Sequence, residues 1–166
     1  MGVKGEIDRG TAELLDKYEP IVRQRLRPAF VYREAAVTEE AEGIRVEGLS
    51  VLLTGEDIKR HLKGCKRAVF FAATVSAEAD KLIRQTAVTD VAGALAVDAL
   101  CSAAVEQLCD LAEKAIFAEV EAKYRTWRFS PGYGDLPITV QSALADMLNT
   151  RRRIGLTVSE GSLLIP

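Results

Sequence analysis

One short segment of the chain concentrates the residue types that can bind a small charged ligand. From Trp127 to Pro137 the sequence reads Trp-Arg-Phe-Ser-Pro-Gly-Tyr-Gly-Asp-Leu-Pro. Arg128 supplies a fixed cation, Pro131 and Gly132 form a tight turn that exposes backbone hydrogen-bonding groups, and Tyr133 adds an aromatic face. These features suit a ligand with a carboxylate and a planar or cationic portion.

The same segment also has an ordinary structural interpretation. Pro131 and Gly132 can simply turn the chain between two helices, with Arg128 solvated and Tyr133 packed against the protein. Short sequence motifs often occur by chance in proteins that lack the corresponding function. The residue types alone therefore leave both interpretations open.

The other residues that could carry chemistry point to packing. His61 is the only histidine and lies between charged residues of a short predicted helix, so we expect it at the surface and assign it no role. Cys101 and Cys109 lie two turns apart on the apolar side of a predicted long helix, where free cysteines behave as small hydrophobes. No glycine-rich phosphate-binding signature occurs. We predict no catalytic acid or base and no metal site.

Composition and charge exclude several classes of protein. The 166 residues include 24 acidic and 22 basic side chains, for a net charge of −2. This balance argues against an electrostatic nucleic-acid binder, since the only basic run is Arg151, Arg152 and Arg153. Three cysteines match neither a disulfide framework nor paired zinc knuckles, and they favour a reducing cytoplasm.

Neither a secretion signal nor a membrane span is predicted. The first ten residues lack the apolar core of a signal peptide. The longest apolar stretch, residues 91–105, is interrupted by Asp98 and Ser102 and is shorter than the ~20 residues that a membrane helix needs. We therefore expect one soluble domain over residues 1–166.

Hydrophobic periodicity predicts a mixed order of elements. Helical spacing covers residues 9–26, where Pro20 should kink or split the helix. Further predicted segments are strands at 29–33, 43–48, 50–54 and 68–75, a short helix through Ile58 and Leu62, a helix from Ser76, a helix at 140–149 and a last strand at 154–158. Because this order does not alternate as in βαβα folds, the sequence favours an α+β fold.

The longest predicted element is a helix from Val91 to about Tyr124. It contains no proline and much alanine. Its apolar seam is predicted at Val97, Cys101, Ala104, Leu108, Leu111 and Ala115.

Two C-terminal patterns are similar to those of a known family. The segment Arg128-Phe-Ser-Pro-Gly-Tyr133 resembles the R-x-x-x-G-Y motif with which the activation domain of cobalamin-dependent methionine synthase binds S-adenosylmethionine. Residues 154–166 resemble the closing pattern of that domain, which has a glycine, a strand, a hydroxyl-Glu pair, apolar residues and a proline. The resemblance is most specific over residues 128–166 and extends to the long helix.

The resemblance implies a fold and a function. In that family a curved antiparallel sheet is flanked by helices, and the domain docks over a cobalamin-binding domain. It permits reductive methylation of cob(II)alamin, with an electron from flavodoxin or another low-potential donor. The short chain is similar to stand-alone relatives that serve a separate cobalamin-binding methyltransferase or a split methionine synthase.

The resemblance also implies roles for individual residues. Arg128 would pair with the methionyl carboxylate. Pro131 and Gly132 would bring the backbone to the adenosyl portion, and Tyr133 would contribute its ring. Aligning the long helix places Glu106 at a ligand-contacting glutamate, with 21 residues between it and Arg128, a shorter spacing than in the fused enzymes. Without the resemblance, Glu106 would be read as part of a solvated helix face.

Three functions remain in competition. The first is an accessory reactivation protein that binds S-adenosylmethionine and completes its reaction on a cobalamin-carrying partner. The second is a non-enzymatic docking module for a corrinoid protein that no longer binds S-adenosylmethionine. An independent small-molecule methyltransferase is disfavoured, because no glycine-rich loop follows an early strand.

Overall fold

The computed structural model describes residues 8–122 and 124–166, and it has the α+β fold expected from the sequence. The helices are α1 (Arg9–Arg25), α2 (Glu56–Leu62), α3 (Glu78–Ala87), α4 (Val91–Glu119), α5 (Val140–Leu148) and α6 (Thr150–Ile154). The strands are β1 (Ala29–Glu40), β2 (Gly43–Val46), β3 (Arg67–Thr74), β4 (Thr157–Val158) and β5 (Leu164–Ile165).

The chain divides into two compact units. The first contains the described residues up to Ala29 together with Thr74–Asp110, and the second contains Phe30–Ala73 and Leu111–Pro166. The expectation of one domain over the whole chain stays a prediction.

In the first unit, one carboxylate joins α1 to the start of α4. Asp90 accepts hydrogen bonds from the Gly93 backbone N–H at 2.7 Å and from the Tyr18 hydroxyl at 2.8 Å. The Gly93 N–H, followed by Tyr18 and Lys17, lowers the pKa of Asp90. Pro20 lies inside α1 and does not split it, contrary to one of the two expectations for this helix.

The second unit is built on a three-stranded antiparallel sheet in the order β2-β1-β3. β1 pairs with β2 from Val37 opposite Val46 to Glu40 opposite Gly43. β1 is longer than the predicted strand at 29–33. The predicted strand at 50–54 is wrong, since only a single bridge joins Leu53 to Ile44.

The core of the second unit lies between this sheet, α2 and α5. Apolar side chains of all three elements, with two from the segment between β2 and α2 and one from the loop before α5, are almost completely buried there. They are Ala35, Val37, Ile44, Val46, Leu49, Leu53, Ile58, Leu62, Leu136 and Val140.

The long helix α4 confirms part of the predicted seam. Val97, Cys101 and Leu108 are buried as expected, but Leu111 is 61% exposed and Ala115 is also exposed. Their places in the interior are taken by Ala112 and Ile116. From Leu108 onward the buried residues are spaced by four, so the buried face shifts gradually around the helix and away from the predicted seam.

By length and composition, α4 is apolar enough to cross a membrane, although the sequence analysis found no such stretch. Alanines and other small apolar residues outweigh the few charges in this test. Core helices of soluble proteins pass it as well, and the inner face of α4 is buried at Val97, Ala112 and Ile116. The helix is therefore weak evidence for a membrane protein.

The C-terminal region differs in detail from expectation. α5 lies where a helix was predicted, but the arginine run forms the short helix α6, which was not predicted. Asn149 separates the two helices in a left-handed conformation, with φ of 53°. The predicted last strand is reduced to β4, which pairs with β5.

The close approach of β2 to residue 53 yields a stability prediction. A Cβ at Gly43 would lie 2.5 Å from the Leu53 carbonyl oxygen, a backbone atom that cannot move without breaking the bridge to Ile44. We expect Gly43→Ala to lower the free energy of unfolding by about 1–3 kcal/mol, measured by urea denaturation. Gly161→Ala is the matched control, because its nearest neighbour, Ser159 Oγ, would be 3.9 Å away. Equal stability of the two variants would contradict this account.

Candidate functional site

The predicted turn at Pro131 and Gly132 is present in the loop before α5. The Gly132 N–H donates to the Leu136 carbonyl at 3.0 Å, and the Tyr133 N–H donates to the Ser130 carbonyl at 3.1 Å. Gly132 has a φ of 87°, a conformation that L-residues with a Cβ rarely adopt. Leu136 is 4% exposed and fixes the end of the loop in the core.

Asp135 attaches this loop to α2. Its carboxylate accepts the backbone N–H groups of Glu56 at 2.7 Å and Asp57 at 3.0 Å. These bonds, that of Asp57 first, lower the pKa of Asp135. Gly55 at the N-cap of α2 has no side chain that could cap the helix, so the cap comes from 79 residues further along the chain.

Two glycines make this attachment possible. A Cβ on Gly55 would collide with the Asp135 carboxylate, and a Cβ on Gly134 would collide with that of Asp57. Both glycines also have positive φ, 127° and 54°. The loop and the start of α2 therefore approach each other as closely as backbone allows.

Arg128 lies beside a carboxylate that the sequence analysis did not identify. Its Nη1 is 3.5 Å from Glu113 Oε2 on α4, and the two side chains are 33% and 29% exposed. Arg128 is therefore not the fully solvated arginine of the ordinary interpretation. Glu113 lies on α4 and Arg128 in the segment after it, so no helical spacing in the sequence indicates this pair.

Glu106 lies seven residues before Glu113 on the same helix. It is exposed and belongs to the first unit. Glu113 belongs to the second unit. The ligand role that the resemblance assigns to Glu106 stays a prediction.

Tyr133 and Pro131 lie at the surface of the loop. The Tyr133 side chain is 67% exposed, and its ring centroid is 6.5 Å from that of Phe129. Pro131 is half-buried. Tyr133 is thus not packed in the core, and its face is accessible to a flat ligand.

His61 is half-buried, and its ring makes contacts that the sequence did not predict. Its ring on α2 lies 5.3 Å from the Trp127 ring and 5.0 Å from the Phe129 ring, between centroids, and Nε2 is 3.2 Å from Thr126 Oγ1. Burial lowers the pKa of His61, and a hydrogen bond with the Trp127 backbone opposes this shift. A lone histidine on a short helix gives no signal for contacts 65 residues away.

A cavity of about 240 Å³ is lined by Phe117, Val120, Ala122, Tyr124 and Arg125. None of the predicted site residues lines this cavity.

This arrangement can bind and orient a ligand. It offers a guanidinium, a carboxylate and an exposed aromatic ring on a loop whose far end is fixed. Among residues 8–122 and 124–166, no group of three or more His, Cys, Asp or Glu side chains could hold a metal ion.

The Asp135 cap makes the stability of the second unit depend on pH. Because its pKa is lower in the folded protein than the usual 3.8, its contribution is present above 3.8 and is lost as pH falls through the folded value. We expect Asp135→Ala to lower the urea midpoint at neutral pH and to flatten its acid dependence. Asp16→Ala, on α1, is the control for loss of an exposed carboxylate. An unchanged acid profile in Asp135→Ala would show that the cap does not contribute.

No known protein family matches this sequence, and no curated protein does. Among solved structures, the chain is similar to a crystal structure of the MetH reactivation domain bound to AdoHcy, with a TM-score of 0.68 and 18% sequence identity. The similarity covers 95% of this chain and 60% of the MetH chain. The two proteins thus share a fold, and this chain spans about three fifths of the length of its structural neighbour.

Proposed function

We propose that this protein binds S-adenosylmethionine and serves as an accessory reactivation protein for a cobalamin-dependent methyltransferase similar to methionine synthase. One observation carries the proposal. The Arg128-to-Tyr133 motif lies on a loop that is fixed to α2, in a fold whose structural neighbour is bound to AdoHcy.

The charges of the site match the amino-acid end of such a ligand. The methionyl group carries a carboxylate and an ammonium group, and the Arg128–Glu113 pair offers one charge of each sign. Arg128 binds the carboxylate, since a guanidinium fork matches two oxygens. Glu113 accepts the ammonium group.

The rest of the loop serves the remainder of the ligand. Tyr133 presents an exposed ring, which suits both a flat adenine and a positively charged sulfonium. Pro131 and Gly132 bring backbone groups to the adenosyl portion. Glu106 is a further proposed ligand contact, which rests on the resemblance to the methionine synthase activation domain alone.

In this proposal the protein contributes binding and orientation. The bound sulfonium supplies the methyl group, and the cobalamin belongs to a partner, a cobalamin-binding methyltransferase or split methionine synthase. An electron comes from flavodoxin or another low-potential donor. No side chain of this chain acts as a general acid or base. The balanced charge and the free cysteines fit a cytoplasmic protein that binds neither nucleic acid nor membrane.

A docking module without S-adenosylmethionine binding is the second candidate. It is favoured by the internal Arg128–Glu113 pair, which satisfies the arginine without a ligand. It is also favoured by the exposure of Trp127 (76%), since exposed tryptophan, tyrosine and arginine commonly dominate binding at protein interfaces.

Isothermal titration calorimetry with S-adenosylmethionine and AdoHcy tests the choice. We expect the wild-type chain to bind, and Arg128→Gln to lose roughly tenfold to a hundredfold in affinity, because a charge-assisted bond to a carboxylate contributes about 1.5–3 kcal/mol. Arg152→Gln is the matched control, since Arg152 is an exposed arginine on α6. It should bind as the wild type does.

The outcomes separate the two candidates. Wild-type protein that binds neither compound would leave the docking module as the better function. Binding that is equally reduced in the Arg128 and Arg152 variants would mean that overall charge, and not the site, attracts the ligand.

The two α4 glutamates yield a separate prediction. We expect Glu113→Gln to weaken binding by about tenfold, because the glutamine keeps the shape of the side chain and loses the charge that faces the ammonium group. Glu106→Gln, measured in parallel by calorimetry, tests the position that the resemblance assigns. A tighter complex with Glu113→Gln would show instead that Glu113 competes with the ligand carboxylate for Arg128.

A further inference from the structure

The only histidine and the only tryptophan of the chain are in contact. His61 lies on α2, and three residues of the loop surround its ring. Thr126 meets Nε2 at 3.2 Å, and the rings of Trp127 and Phe129 lie 5.3 and 5.0 Å away, between centroids. Phe129 in turn packs against the buried core of the second unit.

Arg128 lies in the middle of this segment. Its neighbours on both sides have rings that lie beside the His61 imidazole, so these contacts flank the backbone at residue 128. Asp135 holds the loop to the start of α2, and His61 holds it near the end of the same helix.

The charged groups on these elements have partners of their own. On α2, Glu56 pairs with Lys59 and Asp57 pairs with Arg60. On the loop, Arg128 pairs with Glu113, Arg125 lies over the Phe117 ring, and Asp135 accepts the α2 amides. The burial of the imidazole and its bond with the Trp127 backbone are the two causes that act on its titration.

We propose that His61 is a positioning residue whose neutral imidazole holds segment 126–129 and Arg128 against α2, and whose protonation releases that segment. The proposal deepens the proposed function, because Arg128 matters only if a ligand binds there. The release itself does not depend on any ligand.

The sign of the effect follows from burial. The pKa of His61 is lowered below 6.5 when the rings cover it, whereas a released His61 in water has the usual value. Proton binding therefore favours the released state. The neutral contact is fully present above pH 6.5 and is progressively lost as the pH falls below it.

The first experiment needs no ligand. As the only histidine, His61 gives a single imidazole Cε1–H resonance in an NMR titration, and as the only tryptophan, Trp127 reports the mobility of the segment by its fluorescence anisotropy. We expect the imidazole to titrate below 6.5, and the anisotropy of Trp127 to fall with the same midpoint, because the indole of a released segment moves more freely.

Two variants separate release from simple quenching of Trp127 by an imidazolium. His61→Phe keeps a ring and cannot titrate, and His61→Gln keeps a hydrogen-bonding group without a charge. The anisotropy should be independent of pH in both variants, and high in His61→Phe. The proposal is overturned if the imidazole titrates at or above 6.5, as cation–π attraction to Trp127 would cause, or if the anisotropy varies equally in wild type and variants.

The second experiment measures AdoHcy affinity at about pH 7.5 and about pH 5.5. We expect the wild type to lose affinity several-fold on acidification and His61→Phe to show a smaller change, which corrects for titration of the ligand. No binding at either pH would remove the proposed function, while the ligand-free titration would still decide the role of His61. Equal losses in both proteins would overturn the positioning of Arg128 by His61.

Discussion

The bond between the Asp135 carboxylate and the first amides of α2 is the interaction on which the arrangement of the loop depends. Gly55, at the N-cap of α2, offers no side-chain cap, and Asp135 of the loop has a carboxylate that accepts two N–H groups. The first backbone N–H groups of a helix have no acceptor within the helix and attract negative charge. The Asp135 carboxylate supplies that acceptor, and the N–H groups in turn stabilise its charge. The two glycines at this contact remove the side chains that would keep the backbones apart.

The loop gains its remaining order from apolar contacts on either side of the exposed motif. Leu136 is buried after Tyr133, and Phe129 packs against the core before Pro131. The residues between Phe129 and Leu136 can therefore be exposed to solvent while the backbone on both sides of them is held by the core. This explains how Tyr133 can present most of its ring to solvent on a segment whose backbone follows defined turns.

The fold could be predicted from the sequence where the pattern was local and could not where it depended on distant partners. The α+β class, β3, α3, α5 and the turn at Pro131 and Gly132 followed from periodicity and turn residues. Residues 50–54 were predicted as a strand from their β-prone composition, but only Leu53 finds a partner. The contacts of His61 and Asp135 span 65 and 79 residues, so no spacing in the sequence could reveal them.

The register of α4 shows how a small error in periodicity changes which residues are expected in the core. The predicted seam placed Leu111 in the interior, and the structure buries Ala112 and Ile116 instead. The same helix brings Glu113 to Arg128. A zwitterionic ligand can separate such an ion pair without leaving either side chain uncompensated. Its carboxylate then faces the arginine in place of the glutamate, and its ammonium group faces the glutamate in place of the arginine. The internal ion pair is therefore compatible with the ligand binding that we propose: Glu113 orients Arg128 in the structure, and it would meet the ammonium group of a bound ligand.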